Sequence, residues 1–197
     1  MDKNELREMF LKKRELIPKA EISVKSEIIT GLILSSSFYA DAGKIFCFVS
    51  VPGEPDTSEI IQKALSHGKD IYVPRTNPCR IMETILIGHT EWETVGNWPL
   101  IYGIPVPPPS LIYSGAADFD LVIVPSVAVD IYGYRLGHGG GYYDAYISEN
   151  TKKQNRPVFI AIQFSDFFIS EALPREIHDE KVDLIATENG LFTSVSV

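Results

Sequence analysis

The length, composition and charge of the chain limit what it can be. Its 197 residues, 45% of them apolar, suffice for one compact domain with a single sizeable core, which we place at 1–197. The net charge of −8 comes without a basic stripe, which argues against a nucleic-acid partner. No apolar run approaches the ~18 residues of a membrane span, and no signal-peptide pattern opens the chain, so we expect a cytoplasmic protein without a membrane partner.

Two helices are predicted before the first strand. The first is capped by Asp2 and ends at Pro18. Its apolar stripe comprises Leu6, Met9, Phe10 and Ile17, and its opposite face carries Lys3, Arg7, Lys12, Lys13 and Arg14. Lys3 and Arg7 lie one turn apart and could clamp an anion, although basic residues on such a helix are more often simply solvated. The second helix covers about 23–34, with Val24, Ile28 and Leu32 at helical spacing.

Strands and helices alternate from residue 44 onwards. A strand at 44–51, a helix at 57–67 and a strand at 71–73 predict a βαβ unit with parallel strands. The region 74–109 has a weaker pattern, with a candidate strand at 85–87, and its Trp98 and Tyr102 could either stack on a flat heterocycle or pin the loop to the body. Later elements are expected as strands at 121–124, 158–164 and 182–186 and a helix at 142–148. This alternation favours an α/β fold with three layers, αβα, and a mostly parallel sheet.

The most informative segment runs from Val122 to Asp144 and joins an apolar strand to a helix through a glycine-rich loop. The loop glycines, which let the backbone curl closely around a ligand, are Gly137, Gly139, Gly140 and Gly141. Backbone N–H groups before a helix favour an anion, most obviously a phosphate, and Arg135 could reach the same oxygens. Asp144 could stabilise the helix dipole or hold a hydrated Mg²⁺. The alternative is a tight turn whose glycines serve packing only, and the loop lacks the Lys and Ser/Thr of a P-loop.

A second group of polar residues follows the first strand. Glu54, Asp56 and Thr57 lie at the edge of the sheet where α/β proteins bind ligands. Helix capping by Asp56 or Thr57 explains one of them and leaves Glu54 without a structural reason.

The histidines and cysteines give weaker signals. His178 and Asp179 suggest acid–base or metal chemistry, and Asp183 follows in the same segment, but no serine nucleophile elbow accompanies them. His67 and His89 are interpreted as surface residues. Cys47 and Cys79 lack metal or redox spacing and are interpreted as buried or half-buried fillers.

In this combination the chain resembles the 5-formyltetrahydrofolate cyclo-ligase (methenyltetrahydrofolate synthetase) family. Five blocks match in order, namely KNELR at 3–7, EPDT at 54–57, YGIP at 102–105, the block at 124–144 and LPREIHDEKVD at 173–183. The stretch GYRLGHGGGYYD is close to diagnostic, and the others gain weight from their order. The resemblance implies a topology like that of sugar-phosphate isomerases and CoA transferases.

The resemblance also implies a reaction. ATP would be consumed with Mg²⁺ to convert 5-formyltetrahydrofolate into 5,10-methenyltetrahydrofolate, with phosphorylation of the formyl oxygen, ring closure by N10 and release of ADP and phosphate. The expected partners are these small molecules, and the expected state is a monomer or weak homodimer. The alternatives are a non-catalytic folate- or nucleotide-binding protein and another phosphate-handling α/β enzyme, such as a sugar-phosphate isomerase.

Carried over residue by residue, the resemblance assigns roles around the glycine-rich loop. ATP would be bound by Lys3, Arg7, Arg135, Gly137, His138, Gly139, Gly140, Gly141 and Tyr143. The catalytic residues would be Arg135 and Asp144, and the metal ligands Asp144 and Asp179. The folate would be bound by Glu54, Tyr102, Gly103, Ile104 and Tyr142. The chain departs from the family pattern at Val106, Ser126, Val129 and His138, and we expect Val106 and Val129 to alter how the folate is gripped.

Overall fold

A seven-stranded sheet forms the centre of the computed structural model, which describes residues 1–76, 82–101, 103–112 and 118–195. The strands are β1 (Lys44–Cys47), β2 (Asp70–Thr76), β3 (Met82–Ile87), β4 (Leu100–Ile101), β5 (Ile104–Pro105), β6 (Leu121–Val124), β7 (Ala128–Asp130), β8 (Arg135–Leu136), β9 (Val158–Ile162), β10 (Phe168–Ile169), β11 (Leu184–Thr187) and β12 (Gly190–Thr193). The helices are α1 (Lys3–Glu15), α2 (Lys19–Leu34), α3 (Ser37–Asp41), α4 (Ser58–Ser66), α5 (His89–Glu93) and α6 (Tyr142–Asn150).

The order of the main sheet is β12-β11-β9-β6-β1-β2-β3, and its five inner strands are parallel. The two edge strands, β12 and β3, pair antiparallel. Phe46 on β1 faces Tyr72 on one side and Val122 on the other, so the predicted βαβ unit is directly beside the strand that leads to the glycine-rich loop. The expected α/β fold with a mostly parallel sheet is confirmed.

Alternate residues of each inner strand point to opposite faces, and each face is covered by helices. Ile45 and Cys47 pack with Phe10 of α1 and Ile60 of α4, whereas Phe46 packs with Ile147 of α6. Strands buried on both faces read as continuous apolar runs, which is why they were recognisable in the sequence. The three layers follow from this alternation. The burial of Cys47 confirms its predicted role as a filler, while Cys79 lies outside the described residues.

The amino-terminal helix begins as expected and turns most of its predicted apolar stripe inward, since Phe10 is buried and Leu6 and Ile17 pack against the core. The Asp2 side chain accepts hydrogen bonds from the N–H groups of Asn4 and Glu5. The Glu5 carboxylate in turn accepts one from the N–H of Asp2, which completes a capping box. Met9, predicted in the apolar stripe, is 41% exposed, and Arg14, predicted on the solvent face, is only 5% exposed. The helix can bury Arg14 because its guanidinium pairs with the carboxylate of Glu54, in the loop after β1.

The second helix turns inward a different side from the predicted one. It begins earlier than predicted, at Lys19, with Pro18 as its cap residue. Val24 and Ile28 are 57% and 44% exposed, and the buried aliphatic residues are Ile29 and Ile33. The helix carries apolar residues on more than one of its sides, so their spacing alone could not identify the side that contacts β11 and β12.

Several short elements were not predicted. Helix α3, the β4–β5 hairpin and a small sheet of order β10-β7-β8 all have strands or helices of five residues or fewer. Trp98 is 6% exposed and packs into the core, which supports its role as an anchor of the loop. Tyr102 lies outside the described residues. Within the ranges described, no helix is long and apolar enough to cross a membrane.

Gly133 is the position where the turn between β7 and β8 most requires glycine. Its φ is +86°, and a Cβ there would lie 2.5 Å from the carbonyl oxygen of Val182. Gly133→Ala is therefore expected to lower the free energy of unfolding by at least about 2 kcal/mol, since left-handed strain and overlap with backbone add. Chemical denaturation would measure it.

Gly31→Ala is the matched control for this substitution. Gly31 lies inside α2, and a Cβ there would meet nothing within 4 Å. The free energy of unfolding of Gly31→Ala should rise by about 0.5–1 kcal/mol, because alanine loses less backbone entropy than glycine when a helix forms. Equal stabilities for the two variants would contradict the assignment of strain to Gly133.

Candidate functional site

The glycine-rich loop connects β8 to α6 at the carboxyl edge of the sheet. Gly139 and Gly141 have φ values of +96° and +69°, and Gly141 is the cap residue of α6. A Cβ on Gly140 would lie 2.7 Å from the ring of Tyr142. The backbone angle or the local packing thus requires glycine at three of the four loop positions. The loop is tightly folded as a result, and it ends at the N-terminus of α6.

Arg135 and Asp144 form an ion pair at the base of this loop, in which the arginine is buried and the aspartate is half-buried. Arg135 Nη2 donates to Asp144 Oδ1 at 3.0 Å, and the arginine side chain is only 2% exposed. Burial lowers the pKa of Arg135, and the charge of Asp144 opposes that effect. Arg135 Nε is also buried and has no hydrogen-bond partner in the part of the chain described. The pair therefore fixes a guanidinium beneath the loop, and the Nε donor of this guanidinium is unused within the described residues.

The segment that carries Asp179 lies against the same place. The N–H of Glu180 donates to Asp144 Oδ1 at 3.2 Å, so Asp144 and Asp179 belong to adjoining pieces of backbone. Lys3 Nζ lies 2.5 Å from Asp179 Oδ2 and 3.3 Å from a carboxylate oxygen of Glu176. Burial raises the pKa of Asp179, but the Lys3 hydrogen bond and the Glu176 N–H outweigh it and hold this pKa below its usual value.

Arg7 brings α1 to the glycine-rich loop. Its Nε donates to the carbonyl oxygen of Gly137 at 2.6 Å, and its guanidinium lies beside Gly139. With Lys3 on Asp179, the first two turns of α1 therefore border the loop rather than facing solvent. The anion-clamp interpretation of Lys3 and Arg7 requires this placement, and the solvated-face interpretation is wrong for both.

Glu54 lies on the other side of the loop and is held on three sides. Its Oε1 is 3.3 Å from Arg14 Nη1 and 3.5 Å from His138 Nε2, and its Oε2 accepts from the N–H of Val51 at 3.1 Å. Only 7% of the residue is exposed. Asp56, by contrast, accepts from the N–H of Ser58 at the start of α4, so the capping interpretation holds for Asp56.

The tyrosines that open α6 have different surroundings. Tyr143 turns inward and stacks on Phe46 with ring centroids 6.4 Å apart. Burial raises the pKa of Tyr143 well above its usual range, so its hydroxyl stays neutral. Tyr142 is half-buried beside Gly140. Gly103 and Ile104 belong to the β4–β5 turn and hairpin, where Ile104 is 43% exposed.

Two buried charged residues beside the candidate site were missed by sequence reasoning. Arg14 was assigned to the solvent face, and Asp130 was assigned no role. Asp130 is fully buried and accepts from the N–H groups of Tyr132, Tyr134 and Leu173, so it ties the β7–β8 turn to the start of the Asp179 segment. An aspartate three residues before a turn glycine was the available signal.

The remaining candidates divide into structural and exposed residues. Asp183 accepts from the N–H of Phe159 and pairs with Arg156, a structural role. His178 is exposed and lies 3.0 Å from Glu176. Glu176, His178 and Asp179 each place a potential ligand atom within 4.8 Å of the others. His67 and His89 are exposed, as predicted.

Comparisons with known proteins point to one family. A family model described as the 5-formyltetrahydrofolate cyclo-ligase family matches residues 1–188. A probable 5-formyltetrahydrofolate cyclo-ligase from Caenorhabditis elegans is 30% identical, with 94% of this chain and 92% of that protein covered. The 5-formyltetrahydrofolate cyclo-ligase of Escherichia coli K12 is 30% identical over 74% of this chain and 78% of its own. The solved structure of the Aquifex aeolicus 5,10-methenyltetrahydrofolate synthetase has a TM-score of 0.80 and 25% identity, covering 100% of this chain and 95% of that one.

Proposed function

The chain belongs to the 5-formyltetrahydrofolate cyclo-ligase family, and on that premise we propose that the residues around its glycine-rich loop carry out the family reaction with ATP and Mg²⁺. The reaction converts 5-formyltetrahydrofolate into 5,10-methenyltetrahydrofolate. The observation that carries the site assignment is the buried Arg135 guanidinium, paired with Asp144, beneath a loop bordered by Lys3 and Arg7. Three cations that converge on one loop in a protein of net charge −8 support its assignment to a polyphosphate.

The chemistry requires activation of the formyl group. Its oxygen leaves poorly, so the terminal phosphoryl group of ATP is transferred to it and ADP departs. N10 of the same folate then attacks the formyl carbon and loses its proton, and the carbon–oxygen bond breaks with release of phosphate. The protein has mainly to position the two substrates and to neutralise charge on the phosphoryl group in flight.

The phosphate side of the site is assigned to the loop and the cations around it. Backbone N–H groups of Gly137, His138, Gly139, Gly140 and Gly141 would face the phosphates. Lys3 and Arg7 would contact phosphate oxygens from α1, and Arg135 would supply a buried guanidinium at the transferring group. Tyr143 would support this side from beneath, since its ring is packed against Phe46.

Asp144 and Asp179 are assigned to the metal. Mg²⁺ prefers oxygen ligands and is usually held by one or two carboxylates together with substrate phosphates, so the donor set fits. Each carboxylate is paired with a cation in this structure, Asp144 with Arg135 and Asp179 with Lys3, and both cations belong to the group assigned to the phosphates. When bound, Mg²⁺ would neutralise charge on the ATP phosphates.

The folate side is assigned to the opposite wall of the loop. Glu54 would accept hydrogen bonds from N–H groups of the reduced folate. The site would be lined by Tyr142, Gly103 and Ile104, and also by Tyr102, which lies outside the described residues. Val106 and Val129, which depart from the family pattern, are both buried, and Val129 belongs to the core. Any effect of theirs on folate binding would therefore act through packing.

The first test is product formation by the purified protein. It is mixed with 5-formyltetrahydrofolate and ATP, with and without Mg²⁺, and the near-ultraviolet absorption of the methenyl product is followed while ADP is assayed in parallel. We expect product only when ATP and Mg²⁺ are both present. A ligand-raised melting temperature without product would favour a binding protein, and product without ATP would favour another type of enzyme.

The location and assembly of the protein stay predictions. We propose a single functional unit over 1–197, a cytoplasmic location and a monomer or weak homodimer. Size-exclusion chromatography with light scattering would measure the mass, and the location of a tagged chain would be seen by microscopy.

Gly140 links the phosphate loop to the proposed folate side. Gly140→Ala should displace the ring of Tyr142, because the new Cβ would lie 2.7 and 2.8 Å from two ring carbons. We expect the KM for 5-formyltetrahydrofolate to rise on the order of 10-fold, since small misplacements at a site are costly. Gly96→Ala, where a Cβ meets nothing within 4 Å, is the control. A normal folate KM in Gly140→Ala would remove Tyr142 from the folate side.

A further inference from the structure

Helix α1 touches both halves of the proposed site. Its amino-terminal part carries Lys3 and Arg7, which contact Asp179 and the carbonyl of Gly137. Its carboxyl-terminal part carries Arg14, which contacts Glu54. Lys3 and Arg14 are separated by eleven helical positions, or about 16 Å at the rise of an α-helix. One rigid element thus spans the distance from the phosphate side to the folate side.

Arg14 is built into the structure as a buried connector. Its residue exposure is 5%, its Nη1 donates to Glu54 Oε1 and its Nη2 donates to the carbonyl oxygen of Ser126, both at 3.3 Å. The stem of the side chain lies against Gly53, whose φ is +91°. Ser126 O also accepts from the amide of Gln163 at 2.6 Å, which fixes the acceptor in place. The guanidinium therefore joins α1 to the loops that follow β1 and β6.

A buried carboxylate needs such a partner. Glu54 has two neighbouring groups able to carry positive charge among the described residues, Arg14 and His138, and the His138 side chain is 53% exposed. Without Arg14, the cost of keeping the charged carboxylate out of water would fall on one exposed histidine and the N–H of Val51. Glu54 would then turn toward solvent and lose the fixed position of its acceptor oxygens.

From this geometry we infer that Arg14 is a positioning residue for folate: it holds the Glu54 carboxylate in the orientation that accepts the reduced folate, and it does so from the helix that carries the phosphate contacts. The inference rests on the folate role proposed for Glu54. Because Arg14 is only 5% exposed and its guanidinium contacts Glu54, its loss should affect folate binding through Glu54.

The test measures binding as well as turnover. Arg14→Met should raise the KM for 5-formyltetrahydrofolate, and its Kd measured by calorimetry without ATP, on the order of 10–100-fold. The KM for ATP should stay within about 3-fold of the wild-type value. Arg14→Lys should recover part of the loss, since it restores the charge but not the second hydrogen bond. Lys12→Met, an exposed position on the same helix, is the control and should match the wild type.

A double-variant cycle separates positioning from general loss of structure. If Arg14 acts through Glu54, Arg14→Met combined with Glu54→Gln should bind folate no more weakly than Glu54→Gln alone. Additive losses, or equal losses for ATP and folate, would overturn the inference. If circular dichroism shows that Arg14→Met does not fold, two other variants replace it. Folate binding by Arg14→Lys is compared with that of the wild type, and binding by the double variant, which leaves no unpaired buried charge, with that of Glu54→Gln.

The binding readout also separates this inference from the proposed function. Wild-type protein that binds folate but forms no methenyl product would contradict the proposed reaction, while the Arg14 comparison would still be decided by Kd. Wild-type protein that does not bind 5-formyltetrahydrofolate at all would overturn both.

Discussion

Replacement of Asp144 is expected to reduce kcat by about 10³-fold or more, the scale of losing a charge-stabilising group at a transferring phosphoryl. Asp144 is the residue where the phosphate loop, Arg135 and the Asp179 segment meet, because its Oδ1 accepts from both Arg135 and the N–H of Glu180. Its loss would remove a proposed Mg²⁺ ligand and the partner of a buried guanidinium at once. Steady-state assays over a range of Mg²⁺ concentrations would measure the effect.

Two substitutions distinguish chemistry from structure at Asp144. Asp144→Ala leaves the buried guanidinium of Arg135 without its carboxylate, so a lower melting temperature is expected. Asp144→Asn keeps an oxygen that can accept from Arg135 and Glu180, and should retain more stability while losing turnover. Glu149→Ala, exposed on the same helix, is the control. Near-normal activity in Asp144→Asn would remove Asp144 from the metal site.

Replacement of Arg135 is expected to raise the ATP requirement sharply. Arg135→Ala removes a guanidinium that is 2% exposed and whose Nε has no hydrogen-bond partner in the described residues. A charge held in such a dry place interacts strongly with phosphate, so we expect a rise in the KM for ATP and a fall in kcat on the order of 10²–10³-fold. Initial rates at varied ATP would measure both.

Arg135→Lys tests what the guanidinium itself contributes. Lysine keeps a charge but cannot present two parallel donors, so this variant should fall between the wild type and Arg135→Ala. Arg156→Ala is the control, because Arg156 is exposed and pairs with Asp183, whose role is structural. An unchanged ATP dependence in Arg135→Ala would mean that the loop backbone alone binds the phosphates.

The parts of the protein that sequence reasoning predicted are those whose cause is local. β6 is a run of β-branched and aliphatic residues, and all four of its residues are buried, so its bounds were predicted to the residue. The glycine-rich loop and α6 were recognisable because glycine and a helix start have their own residue chemistry. The resemblance to the family came from motifs in a fixed order, and the comparisons confirmed the family and the conversion of 5-formyltetrahydrofolate into 5,10-methenyltetrahydrofolate.

Where sequence reasoning was wrong, the cause lay in a partner on another element. Val24 and Ile28 are as apolar as Ile29 and Ile33, and only the position of β11 and β12 decides which pair is buried. The strands β7 and β8 have three and two residues, too few for an alternation to be visible. They exist because they pair with each other and with β10.

The sequence by itself determined the fold class, the identity of the loop and the kinds of charged residue near it. Tertiary structure alone decided which charges meet. Lys3 reaches Asp179 across 176 positions of sequence, and Arg14 reaches Glu54 across 40. Burial of a charge is tolerated only where an opposite charge has been brought to it. That meeting depends on how α1 packs against the loops, so Lys3, Arg7 and Arg14, which look solvated in sequence, border the proposed site.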